Sequence, residues 1–248
     1  TDFSQAGHFA MVYAAGHDAG WVTGSQKLQH IGFGTVQGED GKRIKSRSGD
    51  TVRLVDLLDE AVQRMETELL TRLDEGKANI ERDEIYTVAE AIGYGAVKYY
   101  DLRRNPTSNY KFSYDQMLDT KGDTAVYLLY TRVRLESIID KAAQEYNVNI
   151  DDLLKSNFEL QISHPSERNL ALQLLLFADY MALALDDLYP CHICEYLYKL
   201  AVSASDFVTQ CRVLGSDEMP HRVLLCHCVV NAMHQSFDLL GIRHVKRI

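Results

Sequence analysis

The sequence predicts a mainly α-helical protein in which a smaller mixed α/β portion leads into an all-α bundle. Three observations carry this reading. The 248 residues hold only 4 prolines and 15 glycines, too few breakers for a chain of many short strands. From about residue 83 apolar side chains recur at helical spacing almost to the end. Before that point one strand-like run, 29–36, is followed by the turn signal Asp40-Gly41. The composition shifts from mixed to helical near Asn105.

Taken in order, residues 3–22 read as helix, with Phe3, Phe9, Met11, Val12 and Ala15 as a rough apolar stripe that stops at Gly16 or Gly20. Gln29 to Val36 reads as a strand, and Lys42 to Lys45 as its return strand in a hairpin. Asp50 is a good N-cap for a helix from Thr51 to Leu73, whose Leu54, Leu57, Leu58, Ala61, Val62 and Met65 keep helical spacing. Further helices are predicted over 83–102, 124–146, 150–157, 165–187, 191–212 and 219–240. Pro106 falls in a loop, whereas Pro165, Pro190 and Pro220 each precede a periodic run, where a missing N–H costs little.

Hydrophobic residues make up 46 % of the chain and the formal net charge is -9. The first value excludes a disordered chain, and the second argues against a protein that coats nucleic acid generally. No apolar run reads as long enough to span a bilayer, so no membrane partner is expected. The chain opens on Thr1 without a signal-peptide pattern and reads as a piece of something longer. Cys191, Cys194, Cys211, Cys226 and Cys228 are an odd set, which suits reduced thiols in the cytoplasm. The pairs Cys191/Cys194 and Cys226/Cys228 have spacings that zinc accepts, but their helical, apolar surroundings favour buried thiols and no structural metal.

The most polar stretch is Gly38 to Asp50. Lys42, Arg43, Lys45, Arg47 and Arg53 cluster there with only Asp50 opposing them between positions 42 and 53. Lysines beside a helix N-terminus suit a polyphosphate, since free N–H groups and ammoniums both neutralise developing charge. A solvated surface loop has the same composition. The order Lys42-Arg43-Ile44-Lys45-Ser46 resembles the Lys-Met-Ser-Lys-Ser signature of class I aminoacyl-tRNA synthetases at its first, fourth and fifth positions. Its flanks, Gly32 to Val36 and Ser46 to Leu58, are similar to arginyl-tRNA synthetases, particularly the eukaryotic cytosolic form. So are Asp2 to Phe9, Ala89 to Tyr99, Phe112 to Leu118, Gly122 to Tyr130 and the ending Leu240 to Arg243. The resemblance runs along the whole chain in the family's order.

The resemblance implies the C-terminal portion of a class I, Rossmann-like nucleotide-binding catalytic domain over 1–105, followed by an all-α anticodon-binding domain over 106–248. It implies an arginine–tRNA ligase that activates arginine with ATP, accompanied by Mg2+, and transfers it to tRNA(Arg). The chain alone is expected to be inactive, because the family's first signature lies far upstream. His30-Ile31-Gly32 imitates that signature but is followed by Phe33 and sits too close to Lys42. By carry-over Lys45 meets the ATP phosphates with Lys42 and Ser46 in support. Gln5 contacts substrate arginine with His8 beside it. Tyr127, Tyr130 and Arg134 share a helix face by spacing and meet the anticodon loop together with the basic tail that ends in Ile248. Two aromatic rings beside a cation can stack on bases and pair with phosphate, while core packing is the alternative for both tyrosines. A monomer is expected, with membership of a multi-synthetase complex open. The competing reading is a non-catalytic module that binds tRNA or partner synthetases.

Overall fold

Asp2 starts the first helix. Its Oδ1 accepts from the Ser4 N–H (2.9 Å) and hydroxyl (2.7 Å), opening a 3-10 turn over Phe3–Gln5 that runs into α1 (Ala6–Asp18). The computed structural model describes residues 1–38, 41, 53–156 and 158–248. They divide into two units: Thr1–Arg53 with Arg104–Ser113, and Leu54–Arg103 with Tyr114–Ile248. The predicted hairpin and the Asp50 N-cap fall largely outside the described residues.

In the first unit α1 buries no residue. It ends near Gly20, whose φ of +70° turns the chain. The 29–36 run is strand only at its end, in β1 (Val36–Gln37). The partner of β1 is β2 (Tyr110–Lys111), parallel, with Val36 opposite Tyr110. The rest of the run is held from two sides. Phe33 exchanges backbone bonds with Thr1 and Phe3, at 2.9 and 3.0 Å. Asn109 Oδ1 accepts from Thr35 N–H (2.7 Å) and its hydroxyl (2.9 Å). Gly34 has to be small there, since a Cβ would lie 2.4 Å from the Ser108 carbonyl oxygen. Periodicity could not show this, because the partners come from remote sequence.

The second unit is a helical bundle. α2 (Leu54–Asp74) buries Ala61, Val62, Met65 and Leu69 against α3 (Ile85–Leu102). Gly93 lets the backbones approach, as a Cβ there would stand 3.0 Å from the Val62 nitrogen. A short α4 (Tyr114–Met117) precedes α5 (Ala125–Tyr146), which Thr124 caps and Asn147 ends at φ 57°. After α6 (Ile150–Lys155), the predicted 165–187 helix is two helices, α7 (Pro165–Leu175) and α8 (Phe177–Asp187), with the turn tightening at Leu176. α9 (Cys191–Gln210) and α10 (Met219–Leu240) complete the core with Tyr196, Phe207, Met233 and Phe237.

Two stretches, Pro165–Asp187 and Met219–Leu240, are long and apolar enough to cross a bilayer. This corrects the expectation that no run reaches that length. Scattered charges such as Glu167 and Arg222 disguise both runs, and those two pair with each other inside the bundle. The apolar part of α10 is 50 % buried in the core, that of α7–α8 only 6 %. The five cysteines are free. Burial raises the Cys194 and Cys226 thiols, the latter to about 12, so both stay protonated at neutral pH.

Candidate nucleic-acid interface

Tyr127, Tyr130 and Arg134 project from α5, but their surroundings differ. The Tyr127 hydroxyl lies 3.0 Å from Ser205 Oγ, and its ring packs edge-on to Tyr198 of α9. Tyr130 turns toward α2, where the Arg72 guanidinium carbon stands 4.9 Å from its ring centroid. Its hydroxyl is buried without a hydrogen-bond partner among the described residues. Burial raises its pKa, and Arg72 acts against that.

Arg134 is exposed and opens onto a cavity of about 360 Å³ lined by Ile138, Tyr146, Val208, Arg212, Val213 and Leu214. The cavity holds two guanidiniums and a phenol, and no carboxylate lines it. Arg212 is aimed by its own Nε, which donates to the Leu214 carbonyl at 3.0 Å. Gly215, at φ +71°, leaves room beside it: a Cβ would lie 3.2 Å from Arg212 Nη2 and 3.5 Å from the Tyr146 hydroxyl oxygen. A buried lock fixes the loop behind. Arg222 donates to the Arg212 carbonyl (2.8 Å) and to Glu167 Oε1 (2.7 Å). Burial alone would raise the Glu167 carboxyl. The Arg222 bond and the N–H groups of His164 and Ser163 hold it below its ordinary value. An acid-free pocket with two arginines and an aromatic suits a phosphate or a splayed base. Sequence reading missed Arg212 and Tyr146, because helix ends separated by more than sixty residues meet only in the fold.

The C-terminal segment is clipped to the bundle. Ile242, Val245 and Ile248 are buried every third residue, and Arg243, Lys246 and Arg247 face solvent. Arg132, 2 % exposed, donates to the Val245 carbonyl at 2.9 Å and pairs with Glu136. Lys98 reaches the Gly241 carbonyl, Arg243 pairs with Glu90, and Asn79 N–H meets the Ile248 carbonyl at 3.4 Å. The Ile248 side chain therefore packs inward, 8 % exposed.

Gln5 and His8 are both exposed at the start of α1. His8 contacts Phe9 edge-on, and Phe9 stacks on His30 at 5.2 Å. His30 Nε2 also lies 2.8 Å from the Thr1 hydroxyl. Lys42, Lys45 and Ser46 lie outside the described residues. Among the described residues no group of three or more His, Cys, Asp or Glu could hold a metal ion.

Residues 1–114 match the family model of the class I (R) tRNA synthetase catalytic domain, and residues 128–248 match the DALR anticodon-binding domain. The chain belongs to the class I arginyl-tRNA synthetase family. It is 46 % identical to the chloroplastic/mitochondrial arginine–tRNA ligase of Arabidopsis thaliana and 42 % identical to the cytoplasmic one, in both cases along 100 % of this chain. It spans 38 % and 42 % of their lengths. Its fold is similar to the arginyl-tRNA synthetase of Plasmodium falciparum, with TM-score 0.84 and 30 % identity over 100 % of this chain and 40 % of the other. The Thermus thermophilus arginyl-tRNA synthetase gives 0.76 and 25 % over 96 % of this chain and 38 % of the other. The arginyl-tRNA synthetase catalytic-domain match includes α2 and α3, which group with the helical unit in space.

Proposed function

We propose that this chain serves an arginine–tRNA ligase, contributing the second signature loop to arginine activation and the surface that reads the anticodon. Residues 1–105 are the catalytic portion in this reading and 106–248 the anticodon-binding domain. ATP is the activating substrate, with Mg2+ carried on its phosphates. Lys45 meets those phosphates beside Lys42 and Ser46, and Gln5 and His8 lie at the arginine. The observation that carries the tRNA half is the acid-free cavity of Arg134, Arg212 and Tyr146 in a chain of net charge -9. In this reading Tyr127, Tyr130 and the basic tail that ends in Ile248 also meet the anticodon loop. A cytoplasmic location agrees with the free thiols and with the cytoplasmic Arabidopsis relative.

Two measurements test the reading. Titration of tRNA(Arg) at several salt concentrations should show weaker binding in Arg134→Ala and Arg212→Ala, each lowering the salt slope by about 1. Unchanged slopes would remove the cavity from the interface. In a ligase of the relatives' length carrying this sequence, Lys45→Ala should depress arginine-dependent ATP–pyrophosphate exchange far more than tRNA affinity. Equal exchange rates would take Lys45 out of the chemistry.

A further inference from the structure

The cavity of Arg134, Tyr146 and Arg212 is rich in donors and poor in acceptors. Arginine carries no acceptor, and the Leu214 carbonyl beside it already accepts from Arg212 Nε at 3.0 Å. That bond fixes the guanidinium and leaves its two terminal amino groups without a partner among the described residues. Acids are close in sequence, at Glu145, Asp206, Asp217 and Glu218. None lines the cavity or pairs with Arg134 or Arg212 among the described residues, and Glu218 is held by Arg222 at 3.3 Å. Arg212 and Tyr146 converge. A carbon added to Gly215 would lie 3.2 Å from Arg212 Nη2 and 3.5 Å from the Tyr146 hydroxyl oxygen, so one small group above this glycine reaches both donors. The two come from different elements, the α9–α10 loop and the end of α5. A tetrahedral anion accepts from any direction, whereas a base edge wants its donors in the ring plane and most edges call for an acceptor as well. Arg134 stands twelve residues before Tyr146 on α5, about 18 Å along the axis. Both side chains lean toward the helix N-terminus, so they stay too far apart to share one phosphate. Ile138, one turn from Arg134, and Val208, four residues before Arg212, line the cavity with apolar surface.

We propose that this cavity grips the RNA backbone at two phosphodiesters and reads no base. One phosphodiester sits above Gly215 and receives the Arg212 amino groups and the Tyr146 hydroxyl. A second meets Arg134, and the ribose carbons of the intervening stretch lie on Ile138 and Val208. The inference rests on the tRNA-binding reading and narrows it. Sequence discrimination falls to other parts of the surface, and this end supplies charge and register.

The test titrates the 248-residue chain with a synthetic anticodon stem–loop of tRNA(Arg). One set of RNAs carries a neutral methylphosphonate at each linkage in turn, the other an abasic ribose at each position in turn. Neutralising one particular linkage should weaken binding to the parent chain roughly tenfold, and Arg212→Ala should bind that RNA no worse than the unmodified one. Tyr146→Phe should blunt the effect of the same linkage, and Arg134→Ala should cancel that of a different one. No abasic position should lose its effect in these variants. All three side chains are exposed, so the variants keep the fold, which thermal melts check. If Arg212→Ala or Arg134→Ala cancels an abasic effect in place of a linkage effect, the cavity reads a base, and the inference fails while the tRNA reading stands. Weaker binding with no cancelled linkage, or one linkage cancelled by both arginine changes, overturns it as well. If neither arginine change weakens the unmodified stem–loop, or the parent chain does not bind it, the tRNA reading itself fails at this cavity and the inference falls with it.

Discussion

At the residue scale, buried ions govern how the bundle responds to substitution and to acid. Glu167 is 1 % and Arg222 9 % exposed, so removing one partner strands the other. Glu167→Ala should destabilise the chain by about 3–5 kcal/mol in urea unfolding, far more than a surface pair would. His234 gives a pH signature. Its ring lies tilted against that of His244, with centroids 4.3 Å apart, near Arg132 and Glu136. Burial, then Arg132 and His244, lower its pKa below the ordinary 6.5. The unfolded chain therefore takes up the proton first on acidification. Stability should be full above about pH 6.5 and fall below it, and His234→Gln should flatten that part of the profile. Arg134 could be singled out in the sequence as a cation on a helix beside two tyrosines. Arg212 could not, because its role depends on Gly215 clearing space and on Arg222 gripping its carbonyl.

At the element scale, legibility followed the locality of the stabilising contacts. The helices 124–146 and 219–240 were readable because Thr124 and Gly241 mark their ends by local capping chemistry. The 165–187 helix was readable as helix but not as two, since periodicity carries across the one-residue tightening at Leu176. The 29–36 run was misread because β1 pairs with residues over seventy positions away, which no local pattern encodes. The α2–α3 contact depends on one glycine. Gly93→Ala would press a methyl against the α2 backbone at 3.0 Å. The expected cost is about 1–3 kcal/mol, measured by chemical denaturation. Equal stability would mean that α2 shifts without penalty.

At the scale of the whole molecule, the two units differ in how much they bury. The helical unit holds nearly all the buried side chains, whereas α1 in the first unit buries none. Hydrogen exchange should therefore show α1 amides exchanging well before those of α5, α9 and α10, and equal protection would contradict that division. The parallel pairing of Val36 with Tyr110 has a kinetic consequence. The first unit is written in two pieces, with the α2–α3 pair threaded between them. β1 and β2 cannot meet until a loop of that length has closed, and loop closure before reward is slow. Helical hairpins form from neighbours in sequence and have no such wait. The Gly34–Ser108 seam should thus lock after the α2–α3 hairpin that its loop contains, and the contacts that tie the C-terminal segment to Asn79 and Lys98 wait for a longer closure still.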